Sequence, residues 1–157
     1  MIIHILDNQG KSIGAMKEEL VHEQNLLHKR LILLIYVEEM ICFKKHQDGN
    51  DIYDFPVNIH LPIDSSQEEL IEKKLEELEL KKRLVKSYRQ NHFYREKNEF
   101  ISIYFIKSNK FEMDEFNLNL IYLQRREFDF ALRKYPEIFS EYVHWTHSIG
   151  VTFSGLS

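Results

Sequence analysis

Apolar and polar residues alternate from Phe55 to Leu61: Phe55, Val57, Ile59 and Leu61 are apolar, with Asn58 and His60 between them. That period of two predicts a short strand with one buried face. Pro62 to Ser66 reads as a turn, after which the period lengthens. Ile71, Leu75 and Leu78 fall at i, i+4 and i+7, on one side of a helix. Glu68, Glu69, Glu72, Glu76, Glu79 and the lysines occupy the other side. Ser65 or Ser66, with Glu68 or Glu69 three residues on, supplies a capping-box start.

The same patterns divide the rest of the chain. Ile2 to Leu6 reads as a strand, Asp7 to Gly10 as a turn and Lys11 to Ala15 as a second short strand. Lys17 to Gln24 has a helical pattern. Leu31 to Val37 is apolar throughout, as a strand buried on both faces is. Glu38 and Glu39 form a tight turn into Met40 to Lys45, so these two strands pair as a hairpin. Asp48 to Asp51 is a loop. Leu84 to Tyr94, Phe100 to Ile106 and Leu118 to Leu123 read as strands, and Glu127 to Tyr135 as a helix. Pro136 opens a further short helix. The tail from His144 onward has no clear period.

Composition narrows the class. At 157 residues and 43% hydrophobic, the chain has the material for one domain, residues 1–157, and a sizeable core. A net charge of −4 with both signs interspersed gives no reason to expect nucleic acid as a partner. The longest apolar run is far too short to span a bilayer. The N-terminus, with His4 and Asp7 and no basic lead-in, does not read as a signal peptide. The single cysteine, Cys42, lies in an apolar run, which excludes a disulfide framework and fits a reducing cytoplasm.

A strand, a tight loop and an acid-rich helix can hold a divalent cation against a phosphate, since carboxylate oxygens suit magnesium. The stretch from Phe55 to Leu80 resembles a degenerate Nudix box. That pattern is Gly, five residues, Glu, seven residues, then Arg-Glu-aliphatic-x-Glu-Glu-x-Gly-aliphatic. With Leu75 on the aliphatic position, Ile59 stands at the first Gly and His60 follows it. Ser65 stands at the first Glu, Lys73 at Arg, Lys74 at the next Glu and Glu77 at the first of the paired Glu. A frame shifted by one aligns Glu76-Glu77 with the pair, but puts Lys74 on the apolar face. In both frames a lysine occupies the place of a metal-ligating glutamate.

The order of elements extends the likeness over roughly residues 2 to 145. It is similar to the isopentenyl-diphosphate isomerase-like branch of the Nudix (MutT-like) superfamily. LDNQGKSIGAMKEELVHEQNLLHKRLILLIY is similar to the start of that branch, and NLIYLQRREFDFALRKYPEIFSEYVHW to its end. The resemblance implies an α/β protein, a Nudix-like α/β/α sandwich with a mixed β-sheet. It also implies cleavage of a diphosphate linked to a second group, with Mg2+. On that reading Glu76 and Glu77 are catalytic, Glu77 is a metal ligand, and Arg30 and Lys45 bind the substrate phosphates. His22, His28 and His60 resemble the positions of three histidine metal ligands in the isomerases. Glu99 matches the second glutamate of their Glu-x-Glu, and Lys97 replaces the first. Three imidazoles and a carboxylate suit Zn2+ or Mn2+. The isomerase also needs a cysteine beside its Gly-His, where this chain has Val57 or Asn58, and this sets the isomerase reaction aside.

Three readings follow. The first is a magnesium-dependent hydrolase of a diphosphate-linked small molecule with an altered, impaired site. The second is a non-catalytic Nudix-fold protein that binds a ligand or a partner. The third is a histidine-based metal site without isomerase chemistry.

Overall fold

The computed structural model describes residues 1–46, 51–78, 84–108 and 119–156. The expected loop at 48–50, Glu79 and Leu80 of the box, and the start of the expected strand at Leu118 lie outside the described residues.

The sheet is built on β3 (His28–Val37), whose last seven residues are all buried. Such a run satisfies its backbone by pairing on both edges and offers an apolar side chain to each face. β6 (Val57–His60) pairs antiparallel along the first half of β3. β8 (Glu99–Ser108) runs parallel to β3 over its whole length, from His28 opposite Glu99 to Val37 opposite Ser108. β7 (Leu84–Tyr94) returns antiparallel on β8. At the other end Glu38, at φ 56°, turns the chain into β4 (Met40–Lys45). β4 also pairs with β5 (Tyr53–Asp54) and β9 (Leu120–Gln124). β1 (Ile2–Leu6) and β2 (Ser12–Lys17) form an N-terminal hairpin that meets β3 through Ile5 and His28.

Each face of the sheet carries its own core. Leu31, Leu33, Ile35 and Val37 point to the face where Leu70, Leu75 and Leu78 pack from α2 (Gln67–Glu77) and its C-terminal cap. Ile32, Leu34 and Tyr36 point the other way, with Ile101, Ile103 and Phe105 of β8. There they meet Phe128 and Leu132 of α3 (Arg125–Lys134) and Val143 and Trp145 of α4 (Glu141–Ser148). Helices on both faces of a mixed sheet make the expected α/β/α sandwich. Ser66 caps α2 by accepting from the Glu69 amide, so the second of the two expected serines is the cap.

The segment after α4 acquires its order from packing. Val151 is buried, the Tyr36 hydroxyl donates to the Thr152 carbonyl, and Gly155 lies so close to the Tyr36 ring that a Cβ would have no room. Among the described residues no helix is long and apolar enough to cross a membrane.

Candidate functional site

Strand register assembles the first cluster. His28 and Arg30 share one face of β3, because side chains alternate along a strand. The parallel register sets His28 beside Glu99, and the antiparallel register sets Arg30 beside His60. Asn98 makes the entry to β8 possible. It takes a left-handed conformation at φ 51°, its side chain donates to the Asn25 carbonyl, and its carbonyl accepts from the His28 amide. Glu99 follows immediately and is buried. The short helix α1 (Glu18–Glu23) has no side-chain cap and is anchored by buried Val21. Glu18 and His22, one turn apart, meet the same cluster.

Of the five residues expected as metal ligands, His22, His28, His60 and Glu99 come together here, and Glu77 lies apart on α2. The facing ligand atoms of the three histidines all lie within 4.8 Å of one another. His28 Nδ1 lies 2.8 Å from the Leu26 carbonyl oxygen, which can only accept, so that nitrogen carries the proton. His60 Nδ1 lies 2.8 Å from a Glu18 carboxylate oxygen and is fixed in the same way. Both Nε2 atoms then face inward, the orientation that metal-binding histidines usually receive from their outer partners. His28 Nε2 is 3.0 Å from Glu99 Oε2, but with the ring proton on Nδ1 it has none to donate to that oxygen. Proximity alone does not satisfy it. This nitrogen is buried and has no hydrogen-bond partner.

Arg30 occupies the middle of this group. Its Nε donates to Glu99 Oε2 at 2.7 Å, one terminal nitrogen donates to Asn58 Oδ1 at 2.7 Å, and the other lies 2.8 Å from His60 Nε2. The guanidinium carbon sits 4.4 Å from the centre of the Tyr142 ring, whose hydroxyl donates to Glu99 Oε1. Burial alone would raise the Glu99 carboxyl, but the polar groups around it, the Arg30 charge and the Tyr142 hydroxyl among them, hold it well below the usual carboxylate range. Burial, partly opposed by Arg30 and reinforced by Glu99, pushes the Tyr142 phenol up, so it remains a donor. Burial and the neighbouring His60 and His28 lower His22.

The donor types fit zinc or manganese, but their present arrangement does not. The guanidinium already holds one Glu99 oxygen and the inward nitrogen of His60, and Tyr142 holds the other Glu99 oxygen. Arg30, expected at the substrate phosphates, is thus committed to this cluster. Lys97, expected in place of the isomerases' first glutamate, pairs with Glu141 at 2.7 Å.

The second site is a cleft of about 490 Å³ beside β6 and the box helix, whose lining includes Lys44, Lys45, Asp54, Asn58, Lys74 and Glu77. Lys74 Nζ lies 3.1 Å from Glu77 Oε2, an i,i+3 ion pair along α2 on the cleft wall. Lys45 lines the cleft and pairs with Asp51 at 2.8 Å. Glu76 is exposed on α2 and does not line the cleft. Among the described residues the group of three or more metal-binding side chains is the three histidines, His22, His28 and His60.

Sequence reasoning missed the residue that joins the two sites. Asn58 accepts from Arg30 on one side and donates to Asp54 Oδ2, 2.9 Å away, on the other. Asp54 is itself a buried hub, accepting also from the Phe55 amide and the Ser140 hydroxyl. A lone Asp within an aromatic stretch was the available signal. Tyr142 offered none, and Glu18 none beyond its spacing from His22.

No family model matches the chain, and no curated protein matches it. Solved structures do. A protein of Deinococcus radiodurans superposes with a TM-score of 0.69 over 90% of this chain and 93% of its own, at 9% identity. The C. elegans Ap4A hydrolase superposes with a TM-score of 0.51 over 83% of this chain and 96% of its own, at 14% identity. At such identities the likeness concerns the path of the backbone. The chain has the Nudix fold, a mixed sheet between helical layers, as expected from the order of its elements.

Proposed function

We propose that this protein binds a small diphosphate-linked molecule in the cleft beside the box helix, with its phosphates on Lys44, Lys45 and Lys74, and that magnesium-dependent hydrolysis there is impaired. The ion pair between Lys74 and Glu77 carries the reading. A nearby ammonium repels a divalent cation and competes for the carboxylate meant to hold it. The same ammonium, with two more lysines on the cleft wall, suits an anionic ligand. The fold shared with an Ap4A hydrolase supports a nucleotide-containing diphosphate as the ligand class.

The test is thermal stabilisation by diadenosine polyphosphates and nucleoside-diphosphate sugars in the presence of chelator. Binding should raise the melting temperature without added metal, with about 2.7 kcal/mol of stabilisation at a ligand concentration one hundred times Kd. Lys44→Ala combined with Lys45→Ala should abolish it. A panel that stabilises nothing would remove the proposal.

Intact hydrolysis is the second reading, and one observation favours it. The Glu77 side chain is about half exposed on the cleft wall. A diphosphate that drew Lys74 to itself would release Glu77 for a cation. Rapid Mg2+-dependent turnover that disappears in Glu77→Gln would establish this reading in place of the first.

A further inference from the structure

We propose that Arg30 is the resident cation of the histidine–glutamate cluster, a guanidinium standing where those donors would otherwise hold a divalent metal, so that this one side chain keeps metal out.

Every donor in the cluster is already turned inward. His28 and His60 have their Nδ1 protons fixed by Leu26 and Glu18, which leaves the Nε2 lone pairs on the inside. Glu99 is buried, and His22 closes the group from α1. Such a set requires positive charge at its centre, because bare nitrogens and a carboxylate oxygen repel one another at these distances. The rigid, permanently charged fork of an arginine can supply it. One fork here reaches Glu99, Asn58 and His60, and the Tyr142 ring covers its face. A metal in the same place would need the Glu99 oxygen and the His60 nitrogen that Arg30 now holds, and would meet a like charge beside it.

His28 shows that the replacement is incomplete. Its buried Nε2 has no hydrogen-bond partner, although the Glu99 carboxylate is 3.0 Å away. Three arms of a guanidinium satisfy Glu99, Asn58 and His60 and leave this nitrogen over. With Arg30 removed, Glu99, His60, His28 and His22 present the mixed nitrogen and oxygen set that suits zinc, cobalt or manganese.

The experiment is a Co(II) titration of the metal-free full chain, followed by visible absorption and calorimetry. The parent should show no stoichiometric histidine-type bands. Arg30→Met, which removes the charge and keeps the stem, should bind one Co(II) per chain roughly ten- to a hundredfold more tightly, the scale on which groups around metal ligands tune affinity. Adding His28→Ala should cancel the gain. Because Arg30→Met leaves Glu99 buried without its main partner, folding is followed by circular dichroism in the same samples. A variant unfolded alone should fold when Co(II) is added, as metal binding and folding are linked. The proposal fails if the parent binds one Co(II) as tightly as Arg30→Met does. It also fails if Arg30→Met, folded or unfolded, gains nothing from the ion.

Discussion

Arg30 Nε meets Glu99 Oε2 at 2.7 Å across the parallel pairing of β3 and β8, two residues that lie 69 positions apart in sequence. Glu99 is fully buried, so the pair cannot be exchanged for water when one member is lost. Glu99→Ala should destabilise the fold by about 3–5 kcal/mol, the usual cost of leaving one buried charge unpaired. Glu76→Ala, at an exposed helix position, should change stability by less than about 0.5 kcal/mol. Urea denaturation of both variants checks the contrast. Equal, small effects would show that Arg30 finds water or another anion.

Lys74 and Glu77 permit a gain-of-function test. Lys74→Glu removes the ammonium 3.1 Å from Glu77 and places two carboxylates three residues apart on one helix face. The variant should bind Mn2+ more tightly than the parent by at least about tenfold, as read by electron paramagnetic resonance, since oxygen ligands suit this ion. Unchanged Mn2+ binding would mean that Lys74 is not what limits Glu77 as a ligand.

The outcome shows which information is local. The period of two around Val57 and the period of the box helix were legible because burial writes itself into alternation. His22, His28, His60 and Glu99 could be nominated through the resemblance to the isomerase-like branch, and α1, β3, β6 and β8 bring them together. What the sequence could not reveal was the role of Arg30. Its neighbours come from β6, β8 and α4, so its partners depend on register in three dimensions. The helix of residues 141–148 was obscured at sequence level by its mixed pattern, with Tyr142, Val143, Trp145 and Thr146 all buried beside exposed His147. The tail beyond it owes its path to Tyr36 and Gly155, a contact that no local pattern encodes.

His92 should make stability depend on pH in a known direction. Burial lowers its pKa below the ordinary 6.5; its Nε2 lies 2.9 Å from Gln90 Oε1, and the ring stands edge-on to Trp145. A lowered value in the fold means that the unfolded chain binds more protons between the two values. The contribution of His92 is therefore complete above 6.5 and is lost as pH falls from there through the folded value. His92→Gln should lose less stability than the parent between about pH 7.5 and pH 5.5. Thermal melts of both at the two pH values measure the difference. An equal loss in the two proteins would assign the dependence to other groups.

Asn58 offers the sharpest test of the link between the two sites. Its oxygen faces the Arg30 guanidinium and its nitrogen faces the Asp54 carboxylate 2.9 Å away, and only this orientation of the amide satisfies both neighbours. Asn58→Asp keeps the shape and the acceptor toward Arg30 but sets a second carboxylate against Asp54. Two such groups cannot both ionise cheaply, so one should have its pKa raised in the folded state. A raised carboxyl value means that the folded variant binds more protons than the unfolded one above about pH 4. Its deficit relative to the parent should therefore be small near pH 4 and grow toward pH 7, opposite in sign to the effect of His92. Asn58→Ala, which removes the bridge and adds no charge, should cost about 1–3 kcal/mol with little dependence on pH. Denaturation at several pH values separates the two variants. A deficit in Asn58→Asp that does not change with pH would show that Asp54 is relieved of its charge by another partner, and that Asn58 does not couple the cleft to Arg30.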